Sequence, residues 1–144
     1  MTRVFFDASV FLASLHSPSG GSSEVFRYAV VGAMEALVSE DVIEEVARNI
    51  QGVKNELVAA WLKNIATIPF TSVSVTKEEV EWAADFTDEK DAHIVAAAEK
   101  AGVDFLVTLD KRHLLDKKEA IEPNISFRIV RPEDLLEVIR GEFS

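Results

Sequence analysis

Three aspartates and one helix-borne glutamate stand where this chain could do chemistry. Asp7 directly follows the apolar run Val4-Phe5-Phe6, and Asp110 follows Phe105-Leu106-Val107 after a two-residue step. Either acid alone suits a turn or a helix cap, the common role of Asp after a strand. Asp91 resists that explanation. Its i+3, i+4 and i+7 neighbours are Ile94, Val95 and Ala98, so its carboxylate lies in line with an apolar helical stripe. A carboxylate facing a core must be capped, paired or bound to a cation, because burying it alone is costly. A glutamate in the second turn after Ser39 has the reach to join such a group. Periodicity does not separate Glu44 from Glu45, since both lie off the Val42, Ile43, Val46 face.

Grouped carboxylates suit hard divalent cations, which prefer oxygen ligands and keep several waters. The alternative chemistries are thinner. The sequence has no cysteine, which removes disulfides, thiolate metal sites and cysteine nucleophiles together. His16 and His113 have no partner spacing for zinc and read as ordinary polar residues; His93 is expected to face solvent. Trp61 and Trp82 read as core or dimer-contact residues rather than stacking platforms for bases. Lys111, Arg112, Lys117 and Lys118 put four of the fifteen basic residues just after Asp110, with His113 among them. That cluster is either a solvated turn, offset by Asp116 and Glu119, or a phosphate-contacting rim beside the acids.

The elements that must position these residues follow from punctuation and period. Short apolar runs at Val4–Phe6, Ala36–Val38, Phe105–Val107 and Ile125–Val130 predict strands, with a further extended segment at Val73–Val75. Helices are predicted over Val10–Leu15, Glu24–Gly32, Asp41–Ile50, Glu56–Ile65, from Thr76 to about Ala84, and Asp91–Ala101. Ser39 is placed to cap one, Thr76 and Glu79 have capping-box spacing, and Gly102 is placed to end another. Pro132 opens a last helix at a first-turn position. His16 to Ser23, rich in Ser, Gly and Pro, is expected to be a mobile loop. Strands alternating with helices predict one α/β domain over residues 1–144, with a parallel sheet covered on both faces.

Composition sets the limits. At 144 residues and 48% hydrophobic content the chain can bury a core without staples. A formal charge of −10 rules out nucleic-acid binding through the overall field, so positive charge must be concentrated locally. No stretch is long and apolar enough to span a bilayer, and no signal-peptide pattern opens the chain. A cytoplasmic location is expected, consistent with the lack of cysteine.

Val4-Phe5-Phe6-Asp7-Ala8-Ser9 resembles the opening motif of the PIN-domain family, an apolar strand ending in Asp-x-Ser/Thr/Asn. Ser39-Glu40-Asp41-Val42-Ile43-Glu44-Glu45-Val46 is similar to the second motif, in which an acid follows a serine by six positions; the resemblance therefore selects Glu45. Asp88-Glu89-Lys90-Asp91-Ala92-His93-Ile94 and Asp104-Phe105-Leu106-Val107-Thr108-Leu109-Asp110-Lys111 are similar to the third and fourth motifs. Arg131-Pro132-Glu133-Asp134-Leu135-Leu136 resembles the usual last helix. Two positions depart from the pattern: Leu109 stands where many members have Gly, and Ala8 where a polar residue is common.

The resemblance, running from about Arg3 to Arg140, implies a three-layer α/β/α fold with four or five parallel strands. It also implies cleavage of single-stranded RNA dependent on Mg²⁺ or Mn²⁺, with Asp7, Glu45, Asp91 and Asp110 as the metal-binding catalytic acids. Ser9 and Thr108 would either orient a carboxylate or a metal-bound water, or only close local turns. With an RNA substrate, the basic cluster read above from its charge, Lys111, Arg112, Lys117 and Lys118, is expected to contact the phosphates. Many small members are VapC-type toxins, commonly homodimeric and restrained by a cognate antitoxin. Such ions activate water and stabilise charge on a phosphate, so no side-chain nucleophile is required.

Three other readings compete. A module of the same fold, catalytically weak and used for RNA or protein binding, would keep the acids without the cleavage. A phospho-receiver domain would need adjacent acids after the first strand, where Phe6-Asp7-Ala8 supplies one. A dinucleotide-binding domain would need a Gly-rich turn there, and none follows.

Overall fold

The computed structural model describes residues 1–143 and gathers the strands into one parallel sheet ordered β3-β2-β1-β4-β5. Here β1 is Arg3–Phe6, β2 Glu35–Ser39, β3 Thr71–Val73, β4 Phe105–Val107 and β5 Arg128–Val130. β1 is central because its three apolar residues are fully buried, and a strand covered on both faces needs no polar alternation. Phe5 pairs in register with Leu37 on one side and Leu106 on the other, and Phe6 with Val107. β1 and β4 therefore end level, and the chemistry-bearing residues just beyond them meet at one edge.

Among the described residues eight α-helices surround the sheet: α1 Ala8–His16, α2 Gly21–Val30, α3 Glu40–Asn49, α4 Asn55–Ile65, α5 Lys77–Ala84, α6 Ala92–Ala101, α7 Lys118–Ile121 and α8 Pro132–Phe143. α5 and α6 pack together, with α6 lying over β2, β3 and β4; α1, α2, α4 and α8 form the other layer. This is the expected three-layer α/β/α architecture. Phe6 carries β1 into the second layer, stacking on Phe26 at 5.0 Å and meeting Phe11 and Phe70 edge-on. On the opposite layer, Asp91 precedes the buried Ile94, Val95 and Ala98 of α6.

Local signals for element ends are realised in the backbone. Thr76 and Glu79 form a reciprocal capping box, and the Ser39 hydroxyl accepts the Val42 N–H at 3.3 Å. Gly102 closes α6 at φ +66°, a left-handed conformation that disfavours any side chain.

Two expectations need correction. The loop expected over His16–Ser23 is confined to residues 17–20, because α2 already starts at Gly21. Ser22 and Ser23 are buried, and the Ser23 hydroxyl donates to the Ser17 carbonyl at 2.7 Å, so polar residues here satisfy a packed turn. The last strand begins at Arg128 rather than Ile125. Ser126 is held instead by the Glu99 carboxylate, which accepts its N–H at 2.9 Å and its hydroxyl at 2.8 Å, tying that segment to α6. Among the described residues no helix is long and apolar enough to cross a membrane.

Candidate metal centre

Asp7 ends β1 in extended conformation and caps α1, its Oδ1 accepting the Ala8 N–H at 2.8 Å. Its Oδ2 accepts the Ser9 hydroxyl at 2.8 Å and the Thr108 hydroxyl at 2.7 Å. Both hydroxyls are used twice. Ser9 Oγ accepts the Leu109 N–H and Thr108 Oγ1 the Asp110 N–H, each at 2.9 Å. One buried carboxylate thus fixes, through two hydroxyls, the backbone that presents Asp110. Three of about four acceptor sites on Asp7 are occupied, leaving room for one further ligand. The two departures from the family pattern fit this geometry. Ala8 is fully buried at the start of α1, and Leu109 is exposed with no left-handed backbone to favour glycine.

Asp91 reaches the same edge from α6. It is 4% exposed, ends a short 3₁₀ turn over Glu89–Asp91, and its side chain caps no backbone N–H. Oδ2 is buried without a hydrogen-bond partner. Burial raises its pKa from 3.8 to about 6, with the neighbouring charges of Asp110 and then Asp7 pushing the same way. Both observations describe a carboxylate with a missing counter-charge.

Asp110 opens a wide turn of π-helical form over Lys111–Leu115, where the Leu115 N–H reaches back to the Asp110 carbonyl at 3.0 Å. Asp110 Oδ1 accepts the His113 N–H at 3.0 Å. This turn brings His113 into the site, against the expectation that it is an ordinary polar residue. Its Nδ1 lies 3.5 Å from Asp110 Oδ1 and 4.0 Å from Asp91 Oδ2, and its Nε2 lies 3.8 Å from Asp88 Oδ2. Asp91, Asp110 and His113 each offer a ligand atom within 4.8 Å of the others. The donor set fits a divalent cation: hard oxygens, one imidazole, and a buried oxygen with nothing else to bind. The Asp-x-x-His step from Asp110 was the sequence signal for His113, since an Asp opening a turn holds the residue three ahead.

The remaining residues divide. Glu45 is half-buried on α3 whereas Glu44 is exposed, a distinction that helical periodicity left open. The Glu45 side chain makes no hydrogen bond or ion pair among the described residues, so the structure does not join it to the three-residue group. His93 is part-buried rather than solvent-facing: its Nδ1 is buried without a hydrogen-bond partner and lies 3.8 Å from Asp41 Oδ2 at the start of α3. Trp61 is partly buried and donates to the Ser14 hydroxyl at 2.8 Å; Trp82 is exposed, edge-on to Phe86. Lys111, Arg112, Lys117 and Lys118 are all exposed in the segment after Asp110. Lys111 and Lys118 line a cleft of about 760 Å³ together with Arg128 and Arg131.

Solved structures share this fold. The solved structure of PAE2754 from Pyrobaculum aerophilum has a similar fold, with TM-score 0.63 and 18% identity over 97% of this chain and 96% of that one. The DNA-bound VapBC structure from Salmonella typhimurium matches at TM-score 0.65 and 15% identity, covering 92% of this chain and 99% of the other. VapBC2 from Rickettsia felis, bound to a DNA fragment from its promoter, matches at TM-score 0.61 and 10% identity over 90% and 98%. No curated protein sequence is significantly similar to this one. The profile of the PIN domain matches residues 3–112, which span β1 through Asp110 and so take in the whole acid cluster. This chain belongs to the PIN-domain family.

Proposed function

We propose that this protein is a divalent-metal-dependent endoribonuclease acting on single-stranded RNA. PIN domains are generally nucleases. The observation that carries the reading is the buried, unpartnered carboxylate of Asp91 beside Asp110 and Asp7. Asp91 and Asp110 would hold the ion, Asp7 would contribute through its remaining acceptor site, and Glu45 would close the shell from α3. A bound Mg²⁺ or Mn²⁺ supplies charge neutralisation at the scissile phosphate and activation of water.

The chain's own residues do the rest. Ser9 and Thr108 donate to Asp7 and accept the Leu109 and Asp110 N–H groups, so the two hydroxyls tie that backbone to the Asp7 carboxylate. Lys111, Arg112, Lys117 and Lys118 would bind the phosphates flanking the cleaved bond, offsetting an otherwise acidic protein. An antitoxin partner is supported by the fold's likeness to chains solved as VapBC assemblies on DNA. The exposed apolar residues Val30, Val31, Leu57 and Leu62 around the α2–α4 surface suit such a partner or a second copy in a homodimer.

The test is cleavage of a single-stranded RNA set in Mg²⁺ or Mn²⁺, with EDTA and with Asp91→Asn. Loss of cleavage in both is expected. Cleavage that persists in EDTA sinks the mechanism, and no cleavage of any RNA leaves the binding-module reading.

A further inference from the structure

Resting on the reading of this edge as a cation site, we propose that His113 is a nitrogen ligand, so that an imidazole joins the carboxylates of Asp91 and Asp110 on the ion and favours a transition cation over Mg²⁺. Three features support it. At 3.5 and 4.0 Å, Nδ1 stands too far from Asp110 and Asp91 for hydrogen bonding. Those separations do suit two donors on one ion. Ligand bonds of about 2.1 Å put adjacent octahedral donors about 3.0 Å apart and opposite ones about 4.2 Å apart. The buried Asp91 Oδ2, with no partner of its own, is aimed at that same space.

The third feature is on the far side of the ring. Nε2 faces the Asp88 carboxylate at 3.8 Å. A metal-bound imidazole commonly turns its other nitrogen toward a carboxylate, which fixes the tautomer and the ring's orientation. Asp88 is itself anchored, since its Oδ1 accepts the Lys90 N–H at 3.1 Å. An imidazole donor distinguishes among cations that carboxylates alone treat similarly, because Mg²⁺ strongly prefers oxygen.

The competing role for His113 is an internal counter-ion, a protonated ring that neutralises the acids and must be displaced by metal. The two roles predict opposite signs. Mn²⁺ and Mg²⁺ affinities are measured by calorimetry for wild type, His113→Ala and Asp88→Asn, and the Mn²⁺ complexes are examined by pulsed EPR. A ligand role gives a ¹⁴N coupling in the wild type that His113→Ala removes. It also gives a Mn²⁺-over-Mg²⁺ preference that falls about tenfold or more in His113→Ala. Asp88→Asn keeps the coupling but weakens Mn²⁺ binding, by about 10–100-fold as for other residues that orient a metal ligand. Unchanged or tighter binding of both ions by His113→Ala, with no ¹⁴N coupling in wild type, overturns the proposal and leaves the cation site standing. No binding of either ion overturns both.

Discussion

Asp91→Asn removes a buried charge while keeping the shape of the side chain, and its effect on stability changes sign with pH. Burial first, then Asp110 and Asp7, raise the folded-state pKa from 3.8 to about 6. A raised acid pKa favours the fold at low pH, where the group is protonated in both states. That contribution is lost as pH rises from the unfolded value through the folded one. At about 1.4 kcal/mol per pH unit, the metal-free site therefore costs the wild type roughly 3 kcal/mol at pH 7.5 and roughly 1 kcal/mol at pH 4.5. Asn avoids this cost but leaves an amide without partners, a penalty of about 1–3 kcal/mol. With that penalty near 2 kcal/mol, the variant should be about 1 kcal/mol more stable than wild type at pH 7.5 and about 1 kcal/mol less stable at pH 4.5. Thermal melts in EDTA read this as a gain of about 2–4 °C at the higher pH that reverses at the lower. Mn²⁺ binds only the native state and should raise the wild-type melting temperature more than that of the variant. A structural cap behaves otherwise: Asn would melt lower by a similar amount at both pH values and gain equally from Mn²⁺. That outcome refutes the assignment of Asp91 to a cation site.

Thr108→Val, which removes a hydroxyl donating to the buried Asp7 carboxylate, should cost about 1.5–3 kcal/mol in urea melts and abolish most cleavage. Replacing both Lys111 and Arg112 with Ala should weaken RNA binding and reduce the salt slope by about 1.4, at about 0.7 per phosphate contact on a single strand. An unchanged slope returns that segment to a solvated turn, and calorimetry should find metal binding nearly intact. Thr76→Ala, at the capping box of α5, should cost about 1 kcal/mol of stability and leave the cleavage rate of folded protein unaltered.

What was legible in the sequence is what depends on neighbours along the chain. Val4–Phe6 and Phe105–Val107 read as buried strands from composition alone, and their ends located Asp7 and Asp110. The apolar stripe at Ile94, Val95 and Ala98 aimed Asp91 inward, where it is found. The rest depended on partners far away in sequence. Glu44 and Glu45 are equivalent by helical period, and only the packing of α3 half-buries one and exposes the other. His113 has no zinc-like spacing to Asp91; the π-helical turn after β4 and the packing of α6 over β4 bring the two together. The serines of 22–23 looked like loop and are interior, and the Ser23 hydroxyl serves carbonyls of Ser14 and Ser17 that only the folded turn brings within reach.

The bond between Thr108 and Asp7 closes a separation of 101 residues, and β1 cannot complete its pairing until β4 exists. On the ribosome, where about 5–20 residues are added per second, the two ends of that bond are made roughly 5–20 s apart. Throughout that interval Asp7 has neither Thr108 nor the strand that levels it with Asp110. A nascent chain therefore cannot assemble this acid edge until Asp110 has been synthesised and has cleared the exit tunnel, a delay set by the order of the strands. If the chain cuts RNA as proposed, its site comes together only after both strand ends have left the machinery that makes it.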